Sequence, residues 1–190
     1  GVKALIVPSY DDLISGKITG SQIRNVERDA LLGRDPVVLD NDRLHDLLAG
    51  KTVLVTGAGG SIGSELCRQI AKFEPCRLVL FELNEFVLYN IEQELRISFP
   101  GMPMAFMIGD IKDPARLAQV FTQFQPAVVF HAAAYKHVPM MEQENAWQAV
   151  LNNVWGTYVL ARTAIHHGVE KFVLISTDKA VNPTNVMGAS

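Results

Sequence analysis

Cysteine is scarce in this chain of 190 residues: there are two, Cys67 and Cys76. Their spacing fits neither a metal knuckle nor a redox pair. A disulfide-stapled secreted scaffold is excluded, and a reduced, cytoplasmic chain with no bound metal is expected. No apolar run approaches the ~20 residues that a membrane span requires. The opening "GVKALIVPSYDD" has no basic start leading into a long apolar region, so no signal peptide is read there. An excess of one charge is missing too. The chain has 17 basic and 20 acidic residues, for a net charge of −3. No basic stripe invites nucleic acid, and no charged run makes a disordered tail. Internal repeats and low-complexity tracts are also absent.

What is present is apolar: 48% of the residues are hydrophobic, enough to build a sizeable core. The rhythm changes near Gly50. Before it the pieces are short, and residues 1–50 read as a linker or the tail of a preceding unit. "VKALIVPSY" suits one strand, and Pro36 breaks "LLGRDPVVLD". "NDRLHDLLAG" suits a short helix capped by Asp40 or Asn41, with Gly50 just past its end. From Lys51 onward apolar runs recur at 52–56, 77–81, 104–108, 127–131 and 171–176. Segments with helical spacing separate them, at 61–73, 85–98, 113–124 and about 143–167. Runs without polar alternation are what strands covered on both faces require. Strands alternating with helices give a parallel sheet with right-handed crossovers. The fold class is therefore α/β: a doubly wound, Rossmann-type sheet over 51–190. Almost nothing follows its fifth strand, so the domain reads as truncated there.

"VTGAGGSIGSEL" joins the first of these strands to the first helix. Gly57, Gly60 and Gly63 fall at G-x-x-G-x-x-G spacing. One permits the tight turn, one lets backbone amides approach a pyrophosphate, and one packs helix on strand. Ser61 can donate to phosphate, and Ile62 lies within the same loop. The helix N-terminus adds unpaired N–H groups and partial positive charge. Glu82 closes the second strand, where a carboxylate can accept both ribose hydroxyls. It favours NAD over NADP, because a 2′-phosphate would meet a negative charge. Asp110 in "GDIKD", with Ile111 beside it, can serve the adenine amino group, or it can cap the helix that starts near Asp113. Ala132, Ala133 and Ala134 leave room where the dinucleotide backbone crosses the sheet. His131 has no acid partner nearby and reads as a packed strand-end histidine.

"VTGAGGSIG", "HAAAYKHVPMME", "NNVWGT" and "ISTDKAVNPTNVMGAS" together resemble the extended short-chain dehydrogenases/reductases. They look most like the nucleotide-sugar 4,6-dehydratases of capsule and O-antigen synthesis, the polysaccharide biosynthesis protein family. The resemblance runs from about Asp29 to Ser190. The "DALLGRDPVVLD" linker is similar to that of the long, membrane-anchored members. It implies a parent in the bacterial inner membrane with a cytoplasmic catalytic domain. This chain would be a piece of it, inactive alone and homo-oligomeric when complete.

That resemblance implies a UDP-sugar substrate such as UDP-N-acetylglucosamine and a resident NAD or NADP. A hydride leaves C4, the C5 proton is removed, the C6 hydroxyl is lost as water, and the hydride returns to C6. The resemblance assigns Thr177 to the sugar's 4-oxygen, Asp178 to the acid for the C6 hydroxyl, and Lys179 to the C5 base. Asp178 must then hold a proton and Lys179 must lose one. Desolvation under bound sugar drives both shifts, and an ion pair between them opposes both. Met187 stands where the superfamily usually has tyrosine, and a thioether cannot transfer a proton. The long dehydratases resemble this chain in that methionine. Asn153 matches a helix asparagine that positions the site lysine or a water. Lys136 and His137 are candidates for the substrate. The alternatives are a nucleotide-sugar C4 or C5 epimerase and, in another class, a non-catalytic dinucleotide-binding module.

Overall fold

The computed structural model describes Leu5–Ile6, Arg24–Asn25 and residues 40–190. The chain divides into two compact units, residues 1–40 and 41–190. In the first, β1 (Leu5–Ile6) and β2 (Arg24–Asn25) pair antiparallel, with Leu5 opposite Asn25. β1 falls within the strand expected over "VKALIVPSY". The rest of that stretch and the break at Pro36 lie outside the described residues.

The second unit opens with α1 (Asn41–Leu48). Gly50 adopts φ +67, the left-handed conformation that ends a helix at little cost to glycine. Leu48 is 2% exposed and joins the core beneath the sheet. The composition break at Gly50 and the contact boundary at Asp40 are therefore separated by α1 and the turn that ends it.

The sheet has five parallel strands: β3 (Thr52–Thr56), β4 (Arg77–Glu82), β5 (Met104–Ile108), β6 (Val128–His131) and β7 (Lys171–Leu174). Their order is β5-β4-β3-β6-β7. The helices between them are α2 (Ser61–Ala71), α3 (Glu85–Ser98) and α4 (Pro114–Phe124). After β6 come α5 (Val138–Gln143) and a long helix in three parts. These are α6 (Ala146–Ala149), a π turn (Val150–Gly156) and α7 (Thr157–His166). A 3-10 turn (Asp178–Ala180) and α8 (Val186–Ala189) complete the described elements.

Alternation along the strands sorts side chains into two cores. Val53, Val55, Leu78, Leu80 and Val128 pack with Leu48, Ile70, Leu88 and Leu95 on one face. Leu54, Val79, Phe81 and Val129 pack with Leu117, Phe121, Val159 and Leu160 on the other. Both faces are covered, so the strands carry continuous apolar runs. Local caps agree with the pattern. Asn84 accepts from Phe86 N and Val87 N at the start of α3, and Asp113 accepts from Ala115 N and Arg116 N at the start of α4.

The strand order reverses at β3 and β6: β4 and β5 are added on one side of β3, and β6 and β7 on the other. A ligand crevice opens at the carboxyl ends of strands at such a switch point. The loops after these two strands touch. A Cβ on Gly57 would lie 2.7 Å from both the Ala132 carbonyl oxygen and the Ala133 nitrogen.

Candidate functional site

The glycine-rich loop is built by close backbone approach. Gly57 sits at φ +65, where an L side chain is strained. Gly63 packs so tightly that a Cβ would come within 2.0 Å of the Gly57 oxygen. Gly60 precedes α2 and offers no side-chain cap, and the first turn of α2 contains no acid. Its amide end is therefore open to an anion, and Gly60, Ser61, Ile62 and Gly63 all line one cleft of about 810 Å³. That volume falls within the range of roughly 300–1,000 Å³ typical of small-molecule sites.

Glu82 stands beside this loop. Its carboxylate accepts from Gly59 N at 3.0 Å, Leu83 N at 2.9 Å and Asn84 N at 3.0 Å. It lines a smaller cavity with Gly57, Asp110, Ile111 and Ala133. Asp110 does not cap α4, because Asp113 fills that place. Its Oδ1 accepts from Lys112 N at 2.8 Å, and its Oδ2 pairs with Lys112 Nζ at 2.8 Å. Asn152 also faces this cavity, and sequence reasoning passed over it. It is 6% exposed, and its Nδ2 donates to Asn153 Oδ1 at 3.1 Å. No donor among the described residues reaches its Oδ1. The doubled asparagine in "NNVWGT" was the available signal, since a second buried carboxamide needs a partner.

Ala132, Ala133 and Ala134 form one wall of the larger cleft, and Lys136 reaches it as well. His137 is exposed and lies outside the lining. Asn153 works as a clamp. Its Oδ1 accepts from Tyr135 N at 2.8 Å, while its Nδ2 donates to Tyr135 O and to Ser190 Oγ, each at 3.0 Å. It makes no hydrogen bond to Lys179 or Asp178.

His131 is a packed strand-end residue, 1% exposed. Its Nδ1 shares a proton with Thr56 Oγ1 at 2.7 Å, and its Nε2 with Thr157 Oγ1 at 2.8 Å. Burial pushes its pKa down from 6.5 to about 4, so the ring is neutral at physiological pH.

At the carboxyl end of β7, Thr177, Lys179 and Met187 line the cleft, whereas Asp178 does not. The Asp178 side chain is 91% exposed, and Lys179 Nζ stands 3.7 Å from its Oδ1. The Thr177 hydroxyl donates to that same oxygen at 3.0 Å. This hydrogen bond first, and the Lys179 charge second, hold the Asp178 carboxyl below the usual range. That direction is opposite to the one a protonated acid needs. Lys136 and Lys179 are cationic lining residues, and no Asp or Glu lines the cleft, which suits a phosphorylated ligand.

The chain is similar to known proteins. A family model described as polysaccharide biosynthesis protein matches residues 53–190. The capsular polysaccharide biosynthesis protein CapD of Staphylococcus aureus is 47% identical over 192 residues, covering 100% of this chain and 32% of CapD. A UDP-N-acetylglucosamine 4,6-dehydratase (inverting) of Campylobacter jejuni is 32% identical over 142 residues, covering 74% of this chain and 40% of that protein. A UDP-glucose-4-epimerase from Stenotrophomonas maltophila, solved with bound NAD and formylated UDP-arabinopyranose, superposes with a TM-score of 0.60. It is 25% identical and covers 68% of this chain and 38% of its own. The chain thus spans well under half the length of each of these relatives. Among the described residues, no helix is long and apolar enough to cross a membrane.

Proposed function

The chain belongs to the polysaccharide biosynthesis protein family of extended short-chain dehydrogenases/reductases, and from that premise we propose that it is the cofactor-binding part of a nucleotide-sugar 4,6-dehydratase. One observation carries the reading. A single cleft is lined both by the loop Gly60–Gly63 and by Thr177, Lys179 and Met187. The pyrophosphate-binding amides and the reacting cluster therefore share one chamber.

The residues present fit a nicotinamide dinucleotide. The open amide end of α2, with Ser61, would hold its pyrophosphate. Glu82 would take the ribose hydroxyls, which favours NAD. Asn152 Oδ1 and the Asp110–Ile111 corner would face the adenine. Bound there, the cofactor would supply reversible hydride acceptance. The chain's own residues would do the rest. Thr177 would orient the sugar's 4-oxygen, and the proton of the 4-hydroxyl, which Met187 cannot take, would pass to water when C4 is oxidised. Lys179 would take the C5 proton once the carbonyl at C4 has acidified it, and Asp178 would protonate the departing C6 hydroxyl. Lys136 would meet the substrate's phosphates. For this to happen Asp178 must turn from solvent toward the sugar and part from Lys179. Burial under the substrate then raises the one pKa and lowers the other.

The test uses the full-length protein with UDP-N-acetylglucosamine in deuterated water. The expected product has lost one water and carries deuterium at C5. An isomer that keeps its C6 hydroxyl and carries no label would refute dehydration. It would leave the second reading, a C4 epimerase, which the exposed and ionised Asp178 favours, since epimerisation needs no acid at C6.

A further inference from the structure

The turn that carries Met187 is anchored from outside the reacting cluster. Glu142, on α5, accepts a hydrogen bond from Val186 N at the start of α8. That amide has no partner within its own helix, and a carboxylate is the stronger kind of acceptor for it. Within the turn, Asn185 Oδ1 accepts from Gly188 N at 2.8 Å. Gly188 in turn lies against the backbone of Lys179: a Cβ there would stand 2.3 Å from the Lys179 carbonyl oxygen. At the far end, Ser190 Oγ accepts from Asn153. α5 directly follows the loop Tyr135–His137, so one carboxylate links that loop to the segment packed on Lys179.

We propose that Glu142 is a positioning residue for the reaction: by anchoring Val186 it sets where Gly188 meets the Lys179 backbone, and so holds Lys179 in the cleft wall. The proposal rests on the dehydratase reading of Thr177–Lys179. Glu142 itself lies outside the cleft lining and moves no proton. Its contribution is geometric. Misplacement of a reacting group by an ångström costs up to about a hundredfold in rate. What the contact requires of residue 142 is an acceptor oxygen, not a charge.

In the full-length protein, Glu142→Ala is expected to lower kcat roughly 10- to 100-fold and to leave KM for the UDP-sugar within about threefold. Glu142→Gln keeps an amide oxygen for Val186 N–H and is expected to restore kcat to within about threefold of wild type. Gly188→Ala leaves Glu142 intact and reaches the same contact from the other side, with a kcat loss of the same order. Hydrogen exchange of residues 177–190 should quicken in Glu142→Ala, with α2 and α4 unchanged, and should return to wild type in Glu142→Gln. Wild-type turnover in Glu142→Ala or Gly188→Ala would overturn the proposal, as would a Gln variant as slow as the Ala variant. Absence of dehydratase turnover in the wild type would instead sink the functional reading. The exchange experiment would still decide the anchor, because unchanged protection of 177–190 in Glu142→Ala would refute it.

Discussion

Lowering the pH should strain this fold at one residue, His131. The ring is buried between Thr56 and Thr157 with no carboxylate against it among the described residues, and the Phe172 ring lies 6.1 Å away. Charging it turns the ring's single acceptor nitrogen into a donor, so the threonine hydroxyl that donated there must turn round, and it buries a cation. Because the folded pKa is depressed, the unfolded chain binds the extra proton first. The stability that neutral His131 provides is complete above pH 6.5. It is lost as pH falls toward 4, and it changes no further below that. With a fall from 6.5 to about 4, the loss is about 3 kcal/mol below both values and about 2 kcal/mol at pH 5. Chemical denaturation of wild type and His131→Gln between pH 5 and pH 7.5 isolates this contribution, because other titrating groups act equally in both. The wild type should lose about 2 kcal/mol more than the variant over that range. Parallel stability curves would refute the argument, as would an imidazole resonance that titrates near its ordinary pKa.

Gly63→Ala puts a methyl group within 2.0 Å of the Gly57 oxygen, where backbone rather than a flexible side chain must yield. The unfolding free energy from denaturant titration should fall by about 1–3 kcal/mol, and calorimetric NAD binding should disappear; normal binding would mean the loop can shift freely. Glu82→Ala leaves three amides without their acceptor. Exchange at Gly59 should quicken even without cofactor, and NAD affinity should fall at least about tenfold. Unchanged exchange at Gly59 would mean that the acid serves a ligand alone.

Most of the sheet could be read before its geometry was known, for a physical reason. Strands covered on both faces must be apolar throughout, so "TVLVT", "RLVLF" and "MAFMI" announce themselves. The glycines of "GAGGSIG" were equally legible, since their role is set by steric demands that few residues meet. The helix expected over about 143–167 is present over 146–166, but the short α5 before it and the π turn within it were not legible. α5 ends at Gln143 and a new helix begins at Ala146, and nothing in the apolar spacing announces the π turn. Asn152 was missed because its environment is supplied by β4 and the Asp110 loop, which lie far away in sequence. The state of Asp178 was also beyond reach. Charge pairing and exposure depend on how Thr177, Asp178 and Lys179 turn out of β7, and spacing does not encode that.

The π turn also has a consequence for the chain's length. In an α-helix, residues five apart point about 140° away from each other, and a wider i→i+5 turn narrows that angle. Asn152 and Thr157 are five apart; one faces the small cavity and the other holds His131. The turn acts as a phase shift, an added residue that brings two faces into register. The long helix therefore has a forbidden edit. Substitutions along its solvent side should be tolerated freely. Deleting a single residue between Val150 and Gly156 would preserve a helix yet rotate α7 by about 100°, so Asn152 could not face its cavity while Thr157 holds His131.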